Sequence, residues 1–312
     1  MTRTERKGVG RRTSYRGAGQ EGGRSGFDSE LIFLRETLSG FAARGSACSP
    51  PRVPEGVDWE YVLARSAEHR IRPILRSVLR AGETSVPEDV RRELESAYFD
   101  TLGTNLAALS WTEALLQNFE NLGIPAVPIK GISHCRTLYE DPGLRPFCDI
   151  DLLVPRDSAP GAARALEQSG MRIEPGNSLD ELLRIYNHAT YVKADGGGDG
   201  IPLNVELHWG FHESSTPAHF HMESVWRDAV PSGNHRSLCL EDELIFGAHH
   251  LCEHLFFNAS PALIWILDLA LRLRISADSI DWEAFTTKNE AYGTSASSAV
   301  ALMILEHLFS GP

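Results

Sequence analysis

Apolar residues recur every three or four positions from residue 28 onward, the spacing that gathers them on one face of a helix. The first run holds Leu31, Ile32, Leu34, Leu38 and Phe41, with Asp28 or Ser29 as its cap. Cys48 to Pro54 carries three prolines and predicts a loop. Asp58 caps a second run, made of Trp59, Val62, Leu63, Ile71, Ile74, Leu75, Val78 and Leu79, in which Pro73 predicts a break. Pro87 suits the first position of a third helix, with Val90, Leu94, Tyr98, Leu102, Leu106, Leu109, Leu115, Leu116 and Phe119 facing inward. Gly123 closes it.

The period then changes. Ile124 to Ile129 predicts a short strand, and Lys130-Gly131 opens a short helix through Tyr139. Asp141-Pro142-Gly143 is a turn, Cys148 to Val154 an apolar strand bearing two aspartates, and Ala159 to Ser169 a helix ended by Gly170. His188 to Lys193 and Leu203 to Trp209 predict further strands, separated by a turn at Gly196-Gly197-Gly198. Helical spacing returns over Glu241 to Phe257, Pro261 to Ile275, Trp282 to Asn289 and Ser295 to Phe309. The expected fold class is α+β: a small mixed-sheet core over residues 124–235, between helical regions at 27–123 and 236–312.

Composition refines this picture. The chain has 312 residues, enough for a large buried core without disulfides or structural metals. No segment reaches the ~20 uncharged apolar residues of a membrane helix; the longest, Ala262 to Leu271, is interrupted by Asp268. Five scattered cysteines (Cys48, Cys135, Cys148, Cys239 and Cys252) without a CxxC pair suit a reduced, cytoplasmic setting. The net charge is −12, unevenly spread. Residues 1–26 hold seven basic side chains, two acidic ones and seven glycines, and predict a disordered basic tail. Such an arm suits nucleic acid or a protein partner; its lack of an apolar stretch argues against a secretory signal. The remainder carries a net −17, which makes its body a poor binder of nucleic acid.

Two carboxylates carry the candidate chemistry. On a strand, Asp149 and Asp151 project from one face about 7 Å apart, while Ile150, Leu152 and Val154 point into a core. Edge aspartates in water would look the same, but this strand is apolar and buried carboxylates need partners. A hard cation such as Mg2+ fits between them. Asn204, Glu206 and His208 share one face of the last strand. Glu206 completes a three-acid site if that strand neighbours the aspartate strand. Upstream, Lys130, Gly131 and Ser133 stand at a strand-to-helix junction, where free N–H groups and a lysine suit phosphate. Arg145 serves either a phosphate, the aspartates or a structural ion pair. His208 could orient the acid or act as a base, or be structural.

Other clusters point less directly to chemistry. His250 and His254 have the i,i+4 spacing of a zinc pair, beside His249 and Glu253, or else meet Asp268 or substrate at the mouth of the site. His212, His219 and His221 lie in a polar loop and suit solvent. Cys148 should face the core, and Trp209, Phe211, Trp226 and Trp265 are core candidates, one of which could stack on a base.

Together these residues resemble the nucleotidyltransferase superfamily with the DNA polymerase β-like fold. Lys130-Gly131, Tyr139, Arg145, the Asp149-to-Val154 run, Glu206-x-His208-Trp209, His250, Trp265 and Asp268-Leu269 are similar to its uncharacterised bacterial nucleotidyltransferases, often found near natural-product gene clusters. The likeness spans about residues 120–275. Two features depart from the superfamily: Ile132 follows the glycine where a small residue is usual, and 18 residues separate Gly131 from Asp149. The resemblance implies two Mg2+ ions on Asp149 and Asp151, assisted by Glu206, and an NTP whose nucleotidyl group moves to a hydroxyl of a small molecule or peptide with pyrophosphate release. The same fold could instead transfer a sugar or phosphoryl group in natural-product tailoring, or bind nucleotide without catalysis.

Overall fold

The structure is a computed structural model that describes residues 27–81, 86–193, 204–211, 218–257 and 262–309. The basic tail, the triple-glycine turn and His212 lie outside the described residues. Four helices come first: α1 (Phe27–Arg44), α2 (Trp59–Glu68), α3 (Arg72–Arg80) and α4 (Glu88–Asn121). The Asp58 side chain caps α2 by accepting from the Tyr61 N–H at 3.0 Å. The expected break falls at residues 69–71, just ahead of Pro73, which sits in the first turn of α3 where its missing N–H is harmless. Pro87 precedes α4 in extended conformation rather than opening it, and Gly123 ends the helix at φ 69°. Leu31, Ile32 and Leu106, expected inside, are about half exposed. The buried stripe of α1 instead runs through Phe33, and that of α4 passes through Asn105.

The middle of the chain supplies β1 (Val127–Ile129), α5 (Lys130–Thr137), β2 (Asp149–Leu153), α6 (Ala159–Gln168), β3 (Met171–Ile173), α7 (Leu179–Ile185), β4 (His188–Lys193) and β5 (Asn204–His208). These strands form one mixed sheet in the order β1-β2-β5-β4-β3, in which the β2–β5 pair is parallel and every other pair antiparallel. After α8 (Met222–Asp228) comes the two-stranded ribbon β6 (Val230–Ser232) and β7 (His235–Ser237). Four helices complete the chain: α9 (Leu240–Phe257), α10 (Leu263–Ser276), α11 (Trp282–Tyr292) and α12 (Ser295–Phe309). β3, α7, α8 and the ribbon, each of three to seven residues, are shorter than the windows in which periodicity shows.

The period-2 alternation of β2 and β5 separates two environments. Ile150, Leu152, Val154, Val205, Leu207 and Trp209 enter one core with α4 and α6. Leu153, on the aspartate face, enters another core with β1 and the C-terminal helices. A third core joins α1, α3 and part of α4 to α10 through Ile264, Leu267 and Leu271. The acid-bearing face of the sheet is therefore roofed by helices from the C-terminal region.

Candidate active site

Parallel pairing of β2 and β5 sets Asp151 opposite Glu206 and Asp149 opposite Asn204. Asp151, Glu206 and His208 thus converge, with one ligand atom from each within 4.8 Å of the others. Asp149 lies outside that trio, because its own register partner is Asn204; it lines the same cavity one strand step back. The expected three-acid cluster is therefore Asp151 and Glu206 with His208 between them, and Asp149 at the margin.

Lys130 reaches this group from the β1–α5 junction. Its Nζ lies 2.7 Å from Asp151 Oδ1 and 3.8 Å from Glu206 Oε2. His208 Nε2 lies 2.9 Å from the same Asp151 oxygen and 3.3 Å from Glu206 Oε2. Asp151 is 1% exposed. Burial alone would raise its pKa, but the Lys130 charge and His208 hold it well below the carboxylate range. For Asp149, burial plus the Asp151 and Glu206 charges outweigh the opposing charges of Lys130 and Arg70 and push it up to about 6. Burial and the Lys130 charge oppose protonation of His208, yet its contacts with Asp151 and Glu206 raise it above the ordinary histidine value. Lys130 holds its position from a left-handed backbone, φ 53°, which disfavours a residue with a side chain.

A cavity of about 750 Å³ opens from this group. Three helices line it with one face each: Lys130, Ser133, His134 and Thr137 of α5; Glu243, Gly247, His250 and His254 of α9; Trp265, Asp268, Leu269 and Arg272 of α10. Ser133 lies on this wall as expected. Gly131 also lines the cavity, and its missing side chain serves packing as well: it is buried, and a Cβ there would lie 2.6 Å from Phe147 Cβ. Cys148, expected in the core, is exposed and lines the cavity, because the strand starts only at Asp149.

Arg145 pairs with neither aspartate of β2. It is 2% exposed, with Nε 3.1 Å and Nη2 2.5 Å from the carboxylate of Asp268, and Nη1 donating to the Pro146 carbonyl at 2.6 Å. Its guanidinium is committed to a structural ion pair, because burial leaves no water to replace Asp268. Tyr139 Oη also donates to Asp268, at 2.7 Å. His134 stands between two acids, Nδ1 3.0 Å from Asp268 Oδ2 and Nε2 3.2 Å from Glu243 Oε1. The Nδ1 contact is a charge pair lying off the line of the N–H. Burial opposes its protonation, but Asp268 and Glu243 raise His134 to about 9. Arg272 closes the row, 2.8 Å from Glu243 Oε1 and 3.0 Å from Thr137 Oγ1. Asp268 is thus met by His134 rather than by His250 or His254.

His250 and His254 stand with ring centroids 4.5 Å apart, against Trp265 at 5.1 and 4.5 Å. Burial and the Lys130 charge depress the His250 pKa strongly. His249 turns away, toward Ser297 and Glu253. His219 and His221 are exposed. Trp209 and Phe211 are buried, whereas Trp265 is half-buried on the cavity wall. Residues that sequence reasoning missed are Arg70, His134 and Glu243. The helical spacing of His134 from Lys130 was the one available signal.

A sequence profile for a family described as uncharacterised nucleotidyltransferase matches residues 55–310. The chain belongs to this family. This nucleotidyltransferase therefore carries Lys130, the β2 aspartates, the β5 pair and the α9–α10 wall inside the matched segment. Among solved structures it is similar to the crystal structure of ANT(2″)-Ia in complex with adenylyl-2″-tobramycin, with 13% identity over 59% of this chain and 96% of that one and a TM-score of 0.39. It is also similar to the solution structure of the antibiotic-resistance factor ANT(2″)-Ia, with 13% identity over 65% and 98% of the two chains and a TM-score of 0.40. No curated protein matches it. Among the described residues, no helix is long and apolar enough to cross a membrane.

Proposed function

We propose that this nucleotidyltransferase moves a nucleotidyl group from an NTP to a hydroxyl of a small molecule or peptide, with Mg2+ as cofactor and pyrophosphate as the leaving product. The observation that carries this reading is the register of β2 and β5, which sets Glu206 beside Asp151 at the edge of a cavity large enough for a nucleotide. The donor set fits a hard cation. Asp149, Asp151 and Glu206 offer oxygens, and the Lys130 ammonium already rests against two of them. Asp151 and Glu206 would hold the metal, with Asp149 completing the set. Bound there, Mg2+ would offset charge on the phosphoryl oxygens and make an acceptor hydroxyl more acidic.

The chain's own groups account for the rest. The acceptor oxygen attacks the α-phosphorus in line, one P–O bond forms, and the bond to the bridging β-phosphate oxygen breaks. The hydroxyl proton passes to Glu206 Oε2, while His208, whose Nε2 faces Glu206 at 3.3 Å and Asp151 at 2.9 Å as a donor, orients the two acids. Lys130 shifts its ammonium from Asp151 to the departing pyrophosphate. The helical roof limits water, which would otherwise compete with the acceptor.

The test is pyrophosphate release from labelled NTPs with a panel of hydroxyl acceptors. Asp151→Asn is expected to lower the rate at least a hundredfold, since metal-borne charge stabilisation is worth several kcal/mol and about 1.4 kcal/mol is tenfold. EDTA should abolish turnover and Mg2+ restore it. Turnover that survives both Asp151→Asn and EDTA would refute the reading.

A further inference from the structure

Among the described residues, two with side chains occupy the left-handed backbone region: Arg70 at φ 58° and Lys130 at φ 53°. The other seven positive-φ positions are glycines. Both exceptions are cations, and both line the cavity beside the β2 carboxylates. They come from unrelated places, Lys130 from the end of β1 and Arg70 from the turn after α2.

The Arg70 turn is well determined. The Arg70 N–H donates to the Ala67 carbonyl at 3.0 Å and the Ile71 N–H to the Ser66 carbonyl at 2.8 Å. This is a helix ending whose left-handed residue is usually glycine. The Ile264 N–H reaches the His69 carbonyl at 3.4 Å, tying the turn to the start of α10. The guanidinium stands over the Trp265 ring, 6.0 Å from its centroid. Its charge also acts on Asp149.

Backbone strain persists where the surrounding structure fixes it, and binding sites are where it is retained. Glycine would relax this turn, so the arginine calls for a different explanation. Arg145 is held by Asp268 and Arg272 by Glu243. Arg70 forms no ion pair with a described carboxylate; its guanidinium stands within reach of the Cys148 sulfur on the same wall and lines the cavity with its planar donor fork. A fork of that shape matches phosphate oxygens two at a time.

We propose that Arg70 binds the polyphosphate of the nucleotide from the Asp149 side, opposite the grip of Lys130 on the Asp151 side. This rests on the nucleotidyl-transfer reading given above. The nucleobase is unspecified, so the probe is inorganic triphosphate with Mg2+, measured by calorimetry on the full chain. Arg70→Gly, Arg70→Ala and Arg70→Lys are compared with the wild type, and thermal unfolding is read on each. Arg70→Gly should unfold at a higher temperature than Arg70→Ala, because glycine relaxes the turn. Both should bind triphosphate at least tenfold more weakly, and Arg70→Lys should recover part of the loss. Arg70→Gly binding triphosphate within twofold of the wild type would overturn the assignment. So would a loss confined to the KM of the acceptor. If the wild type itself ignores triphosphate, it is the nucleotide reading that fails, and this assignment falls with it.

Discussion

The His134 clamp makes stability depend on pH in a window where few other groups titrate. Held between Asp268 and Glu243, His134 keeps its proton up to about pH 9 in the folded chain, against an ordinary value of 6.5. The folded state therefore binds one more proton than the unfolded state between those two values. The extra stability is fully present below pH 6.5 and is lost as pH rises toward 9. At about 1.4 kcal/mol per pH unit, the loss is on the order of 3 kcal/mol, a large share of the 5–15 kcal/mol typical of a folded domain. The assay is urea unfolding at pH 6.5 and pH 9 for the wild type and His134→Gln. The glutamine keeps a hydrogen-bonding side chain but cannot take up the proton. The wild type should lose about 3 kcal/mol more across the window than the variant, with unchanged m-values. Contributions from His208 or the cysteines cancel in the comparison. Equal pH slopes for the two proteins would refute the argument.

Other perturbations follow from the same geometry. Asp268→Ala leaves Arg145 and His134 buried without their shared counter-charge, so thermal unfolding should show a loss of about 3–5 kcal/mol. Gly131→Ala forces a methyl against Phe147 and should cost about 1–3 kcal/mol in a urea titration; an unchanged midpoint would mean that the helix start is free to shift. Lys130→Met removes the ammonium resting on Asp151, and Mn2+ titrated without nucleotide should bind about tenfold more tightly than to the wild type.

The chemistry-bearing residues were legible where a local period decides a face. Alternation alone placed Asp149 and Asp151 together and Glu206 with His208, since a strand offers only two sides. Which strands pair was not legible: β3 and β4 intervene in sequence between the two strands that meet. The in-register match that favours Asp151 over Asp149 is likewise a tertiary fact. Arg145 finds its partner 123 residues away, so its choice between phosphate and carboxylate lay beyond local reading. Cys148 was misplaced by carrying alternation one residue past the start of the strand. Gly131 shows a different limit, because a glycine marks close approach without saying whether ligand or side chain approaches. Arg70 left no trace in a hydrophobic pattern, since its significance is a backbone angle.

The core that joins α1 and α3 to α10, with the Ser39 hydroxyl donating to the Leu308 carbonyl across 269 positions, has a consequence for synthesis on the ribosome. The sheet and its acids can assemble once β5 has emerged. Asp268 and Trp265 arrive only with the later helices, which also complete the cover of the α1 apolar face begun by α2 and α3. Contacts so distant along the polymer form slowly. A nascent chain would expose the unroofed acids to water until translation is nearly done, so transfer competence should switch on late and abruptly.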